Sequence, residues 1–298
     1  MNPFKKIVIC GVGLIGGSFA LALKKSGFKG QILGLERSPD ILERAHALGI
    51  VDEIGLSLEE TLRDADLVVL SVPVAQTGNV LEMMLPYWHG NLIVSDTGST
   101  KTDVVAMARE VLGEKIARFI PAHPIAGSEM NGPEAAVDDL FIGKKAVIAA
   151  LPENSRADVE RIADVWERCG AIIHHLTPEN HDTVFATVSH MPHLLAYGLV
   201  DYVANHPKSD LFFQYAASGF RDFTRIAGSS PEMWRDITLA NRTQLLVELD
   251  AYLKEIEFIR DLVDNTDGDG LQRIYANAQE ARMNWLNAIE NPEKKKMN

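Results

Sequence analysis

The sequence predicts an α/β protein in two parts. A Rossmann-type, doubly wound parallel sheet is expected over residues 1–176 and an all-helical domain over residues 177–298. Three observations carry that reading. Short apolar runs alternate with helical patterns up to Leu176, as in a parallel sheet with crossover helices. A glycine-rich run, Gly11-Val12-Gly13-Leu14-Ile15-Gly16, stands directly after the first apolar run. Beyond Thr177-Pro178 the strand signals stop and helical periodicity takes over.

Lys6 to Cys10 is a compact apolar strand. The following helix runs from Ser18 to Lys25, with Phe19, Leu21, Ala22 and Leu23 at helical spacing, and Ser26-Gly27 ends it. Gln31 to Leu35 is a second strand, and Pro39 to Leu48 a helix closed by Gly49. Leu67 to Pro73 is almost wholly apolar, the texture of a strand buried on both faces. Asn91 to Ser95, Phe119 to Ala122 and Ala146 to Ala150 are the next strands, and a helix from Ala157 to Cys169 leads to a last one, Ala171 to Leu176. Helices are expected over Glu179–Asn205, Asp210–Ala217, Pro231–Asp264 and Asp269–Glu290, with a frayed charged tail from Asn291.

Composition narrows the function. At 298 residues, with 46% hydrophobic and 23% charged, the chain reads as an ordinary soluble globular protein of two domains. No apolar run approaches the ~18 residues of a membrane span, and the run before Gly11 is too short for a signal-peptide core, so a cytoplasmic protein is expected. Cys10 and Cys169 make no disulfide framework and lack metal-ligand spacing, so no metal is expected. The net charge of −12 speaks against a nucleic-acid surface.

The glycine run has the context a dinucleotide needs: strand before, helix after, and an acidic residue at the end of the second strand. Gly11 permits the tight turn, Gly13 lets backbone approach a pyrophosphate, and Gly16 lets helix pack on strand, with Leu14 and Ile15 inside the same cradle. Glu36 stands where a carboxylate accepts ribose hydroxyls and repels a 2′-phosphate, which favours NAD; Arg37 and Ser38 leave NADP open. Ser71, Pro73 and Thr97 follow later strands, at the edge where open sheets bind ligands; turn chemistry accounts for them equally well.

His123 also follows a strand, and an imidazole there suits a general base, although a lone strand-end histidine is more often structural. Ser189-His190-Met191-Pro192-His193 lies inside a helical pattern, which Pro192 is expected to kink. Arg221 and Arg225 sit among aromatic and apolar neighbours in Gly219–Arg225, either as carboxylate anchors or as surface ion pairs.

Together these segments resemble the prephenate dehydrogenase family, which includes arogenate and cyclohexadienyl dehydrogenases. The resemblance rests on Gly11–Ser18, Asp96-Thr97-Gly98-Ser99-Thr100-Lys101, His123-Pro124-Ile125-Ala126-Gly127, Ser189–His193, Asp222–Ala227 and Met233-Trp234-Arg235-Asp236, and it extends from about Lys6 to Asp264. It implies oxidative decarboxylation of prephenate: hydride passes from C4 to NAD, the hydroxyl proton is lost, and departing CO2 leaves an aromatic ring. It further implies that His123 polarises the C4 hydroxyl and that Ser99 orients this histidine. Arg225 would hold a substrate carboxylate, His193 would contact substrate from the helical part, and Glu129 would lie near the arginine. Trp234 is expected to wall the pocket, and His181 and Asp182 to stand behind it.

The substrate so implied is a dianion, and local cations such as Arg225 and Arg221 must outweigh the distant negative charge, which salt screens over ~10 Å. The rival readings are a β-hydroxyacid or imine reductase, which the His123 and Arg225 segments do not fit, and an NAD-binding sensor, which needs no base. Leu245 to Leu262 carries apolar residues on more than one face, so a homodimer is expected. The chain is expected to carry no mutase domain ahead of Lys6 and no separate regulatory domain after Asp264.

Overall fold

A computed structural model describes residues 4–127 and 130–290. Six parallel strands form its main sheet: β1 (Lys6–Cys10), β2 (Gln31–Leu35), β3 (Glu53–Ile54), β4 (Leu67–Leu70), β5 (Ile93–Asp96) and β6 (Phe119–Ile120), ordered β3-β2-β1-β4-β5-β6. The order turns back between β1 and β4, which opens a crevice at the carboxyl ends of those two strands. Helices cover both faces. Along β1, Ile7 and Ile9 enter one core while Val8 and Cys10 enter the other, so the apolar run is continuous because both sides are buried. The first core is anchored by Trp166 of α6 (Arg156–Arg168), whose ring meets Phe19 at 4.8 Å and Phe141 at 5.2 Å.

Helix α1 (Leu14–Lys25) begins earlier than expected, so Gly16 lies in its first turn. The helices α2 (Pro39–Ala47), α3 (Leu58–Leu62), α4 (Thr77–Met84) and α5 (Thr102–Leu112) complete the crossovers. The expected fifth, sixth and seventh strands do not all extend the main sheet. Pro121 has no N–H to continue the ladder after β6, and the chain there leaves for a second sheet. That sheet pairs β7 (Ala122–Pro124) antiparallel to β8 (Lys145–Ile148), and β8 parallel to β9 (Ile172–His175).

The expected helix over Glu179–Asn205 is two helices, α7 (Pro178–Phe185) and α8 (Met191–Ala204), joined by a π turn at Ala186–His190. The kink expected at Pro192 takes this form. A proline ring in the first turn of α8 cannot sit against the carbonyl four residues back, and the widened turn removes that clash. Helices α9 (Ser209–Tyr215) and α10 (Ser218–Thr224) follow, then a 3₁₀ turn at Arg225–Gly228. The expected helix over Pro231–Asp264 breaks at Asn241 into α11 (Pro231–Ala240) and α12 (Arg242–Asp264). The Asn241 side chain is used elsewhere, as shown below. The chain ends in α13 (Gly268–Glu290).

By internal packing the chain divides into two compact units, one ending at Leu245 and one beginning at Leu246. The second contains most of α12 and all of α13, with the turn between them held by Asp267, whose Oδ1 accepts the Gly270 amide at 2.8 Å. Phe258, Tyr275, Met283 and Trp285 are exposed on these helices. Among the described residues no helix is long and apolar enough to cross a membrane.

Candidate active site

The carboxyl edge of the main sheet brings the nucleotide-side residues together. Gly11 has φ +93°, and a Cβ there would lie 2.4 Å from the Ser71 carbonyl oxygen; at Gly16 it would lie 2.1 Å from the Gly11 carbonyl oxygen. Both positions therefore demand glycine for the protein's own packing. Gly13 differs. A Cβ there would meet nothing within 4 Å, so the protein needs no glycine at that position, and the open backbone is the cradle that a pyrophosphate fits. Leu14 and Ile15 open α1, whose N-cap Gly13 offers no side chain and whose first turn holds no acidic residue, leaving its amides to an anion.

Ser71 and Thr97, after β4 and β5, share a hydrogen bond of 2.8 Å between hydroxyls, with exposed Pro73 beyond them. Glu36 follows β2 with its Oε1 accepting the Arg37 amide at 2.8 Å. Burial and then the Glu36 charge push the Cys10 thiol up to about 12, which places that carboxylate against the end of β1.

The second half of the site is a buried polar network behind β7. The Lys101 ammonium and the Asp96 carboxylate, both fully buried, form an ion pair. The remaining Asp96 lone pairs accept the amides of Gly98 at 2.9 Å and Ala122 at 3.0 Å, which ties the start of β7 to the end of β5. Asp182, on α7, reaches the amino end of α5, where its two oxygens accept the Lys101 and Thr102 amides at 2.8 Å each. His181 Nδ1 lies 2.8 Å from Asp182 Oδ1, and His181 Nε2 lies 2.8 Å from His123 Nδ1. Phe185 packs its ring 5.0 Å from His123 and 4.5 Å from His181.

Burial holds the His123 imidazole well below its ordinary value, and the neighbouring His181, Lys101 and His190 push the same way. His181 is lowered by burial, against the opposing pull of Asp182. Burial raises the Asp182 carboxyl, but hydrogen bonds from His181, Thr102 and Lys101 outweigh it and hold the group below the usual carboxylate range. Burial thus favours the neutral form of the His123 imidazole.

His123 Nδ1 shares its hydrogen bond with His181 Nε2. The Ser99 backbone faces His190. His190, buried in the π turn, bonds Asn241 Nδ2 at 3.0 Å, and the same amide donates to the Asp182 carbonyl at 2.8 Å. Asn241 was not anticipated; its only trace in the sequence is a polar residue amid an apolar helical pattern.

His193 donates from Nδ1 to the Ser189 carbonyl at 2.9 Å and stacks on Trp234 with centroids 3.5 Å apart. Burial lowers His193, the bond to the Ser189 carbonyl opposes this, and the charge of nearby Arg225 lowers it further. Arg221 is exposed beside Asp222, 3.5 Å away, the arrangement of a surface ion pair. Glu129 lies outside the described residues.

These neutral histidines make stability depend on pH. His190, ordinarily near 6.5, is pushed down to about 4, chiefly by burial. The unfolded chain takes up a proton below 6.5 that the folded chain refuses until about 4, so stability is full above that window and falls through it. By pH 4 the loss from His190 alone is about 3 kcal/mol, and His123, His181 and His193 add to it with the same sign. Melting temperature should fall steadily from pH 6.5 to 4.5; a flat profile would refute the buried neutral state.

The family descriptions "Prephenate dehydrogenase, nucleotide-binding domain" and "Prephenate dehydrogenase, dimerization domain" match residues 19–175 and 177–277. The chain belongs to the prephenate dehydrogenase family. It is 36% identical to a cyclohexadienyl dehydrogenase of Zymomonas mobilis, over 95% of this chain and 97% of that one. It is equally identical to a prephenate dehydrogenase of Bacillus subtilis, over 95% of this chain and 76% of the relative. In structure it is similar to the Aquifex aeolicus prephenate dehydrogenase solved with hydroxyphenyl propionate and NAD+. That match has a TM-score of 0.88 and 35% identity, and it covers 94% of this chain and 98% of the other.

Proposed function

We propose that the chain oxidatively decarboxylates prephenate to 4-hydroxyphenylpyruvate in tyrosine biosynthesis, with NAD as cofactor and His123 as its acid–base group. The observation that carries this reading is a buried imidazole anchored beside the end of β5, in a chain that matches the family along most of its length. NAD, when bound, accepts hydride from the ring carbon that bears the hydroxyl.

Gly11, Gly13, Leu14, Ile15 and Gly16 hold the pyrophosphate against the amides of α1, and Glu36 accepts the adenosine ribose hydroxyls. Arg37 beside it is the residue through which NADP would gain entry. Ser71, Pro73 and Thr97 line the nicotinamide side. His123 takes the hydroxyl proton as the C4 carbonyl forms, which makes the ring carboxylate labile. Prephenate dianion and NAD cation balance 4-hydroxyphenylpyruvate monoanion, CO2 and NADH with no net proton released. His123 must therefore return its proton to the oxygen as the ring becomes aromatic, acting as base and then as acid.

Arg225 anchors a substrate carboxylate, with His193 beside it and Ser99 near the reacting hydroxyl, while Arg221 stays with Asp222 on the surface. The division at residue 176 then separates a cofactor part from a part for substrate and subunit contact. The exposed apolar residues of α12 and α13 support a homodimer. The test is NADH absorbance on adding prephenate or arogenate with NAD or NADP, on protein whose mass in solution is read by sedimentation. Turnover by a dimer is expected, and silence with every cyclohexadienyl substrate would favour an NAD sensor.

A further inference from the structure

We infer that Asp182 and His181 are a positioning pair that fixes the proton of His123 on Nδ1 and leaves Nε2 as the accepting nitrogen. This rests on the proposed role of His123 as the acid–base group. The argument starts at the fixed end. Asp182 accepts two backbone amides from the first residues of α5, so its carboxylate is held in place and stays ionised. An ionised carboxylate only accepts hydrogen bonds. His181 Nδ1, 2.8 Å from Asp182 Oδ1, must therefore carry a hydrogen. His181 is fully buried and neutral, so its second nitrogen, Nε2, is bare. His123 Nδ1, 2.8 Å from that bare nitrogen, has to donate, and the lone pair of the His123 ring is then on Nε2.

Neither His181 nor His123 then keeps a choice of tautomer. Without His181, the His123 ring would divide between two tautomers and lose the hydrogen bond that fixes its χ2 angle. When His123 takes the substrate proton, the imidazolium donates to His181 Nε2 more strongly, and the Asp182 charge lies one ring away. The protons of the pair stay where they are; the pair orients and stabilises without itself being protonated, as an aspartate does behind a catalytic histidine. The charged and titratable groups facing His123 are His181, Lys101 and His190, with Asp182 behind His181 and Asp96 paired to Lys101.

His181→Phe removes the acceptor and keeps an aromatic ring among Phe185 and His123. His181→Gln can present Oε1 where Nε2 stood. The first should lower kcat about 10²-fold with the KM values for prephenate and NAD unchanged, and the second should restore most of it. The acid limb of the kcat profile should also move in His181→Phe and not in His181→Gln. Equal loss in both variants, or loss in neither, would overturn the pair's role.

Nitrogen-15 histidine spectra of the unmodified protein report the tautomer directly, without need of a variant that folds. They should show His123 protonated on Nδ1 and His181 bare on Nε2; the reverse pattern overturns the inference. Should a His123 variant retain full activity, the acid–base assignment fails while the spectra still decide the tautomer.

Discussion

His123→Asn is expected to lower kcat about 10³-fold while leaving the KM values for NAD and prephenate within a few-fold of the parent. Asparagine is the informative replacement because its Nδ2 can donate to His181 Nε2 where the imidazole N–H now does. Alanine would leave a buried acceptor unpaired and add about 1–3 kcal/mol of instability to the result. With the network kept and the base removed, the loss reads as chemistry alone. The residual rate comes from holding substrate and cofactor together, which His123 does not control. Single-turnover NADH formation should slow by a similar factor, placing the defect at or before hydride transfer. Full kcat in this variant would remove His123 from the acid–base role.

Arg225→Ala is expected to act on the other constant. A guanidinium that binds a carboxylate through two charge-assisted hydrogen bonds contributes about 1.5–3 kcal/mol, so the KM for prephenate should rise about 10²-fold with kcat changed far less. Arg225→Lys should recover part of this, since a lysine keeps the charge and loses the planar fork. Arg221→Ala is the control. Its side chain is exposed and engages Asp222 on the surface, so its effect should stay within about 1 kcal/mol. Equal effects at Arg221 and Arg225 would mean that general positive charge, and not one anchored contact, recruits the substrate; raising the salt concentration separates the two, because only the general effect is strongly screened.

Much of this site was legible in the sequence because its residues sit where chain chemistry is local. The glycine cradle, the acidic end of β2 and the histidine after a strand each follow from a run of a few residues and its neighbours. The second sheet was not legible, because Ala146–Ile148 and Ile172–His175 have the same apolar texture whichever sheet they join, and only Pro121 signals the departure. The break at Asn241 escaped for a related reason. Helical periodicity runs straight through it, and the cause of the break is a pair of long-range hydrogen bonds to Asp182 and His190.

His181 and Asp182 could be read as standing behind the pocket, but not as a chain of rings ending on His123. That arrangement depends on a helix from the C-terminal half meeting the start of α5, a contact no local pattern encodes.

The widened turn at Ala186–His190 sets the phase of everything after it. An α-helix advances about 100° per residue, and a π turn absorbs one residue more than an α turn would. Unwound to a regular helix, that segment would turn α8 by a quarter-revolution or more, carrying His193 off the Trp234 face and His190 out of its seat against Asn241. One extra residue in the turn therefore seats both rings at once, and a single insertion or deletion there would unseat both. His123, His181 and Asp182 all stand ahead of that turn, so the same change would leave their chain of contacts in phase.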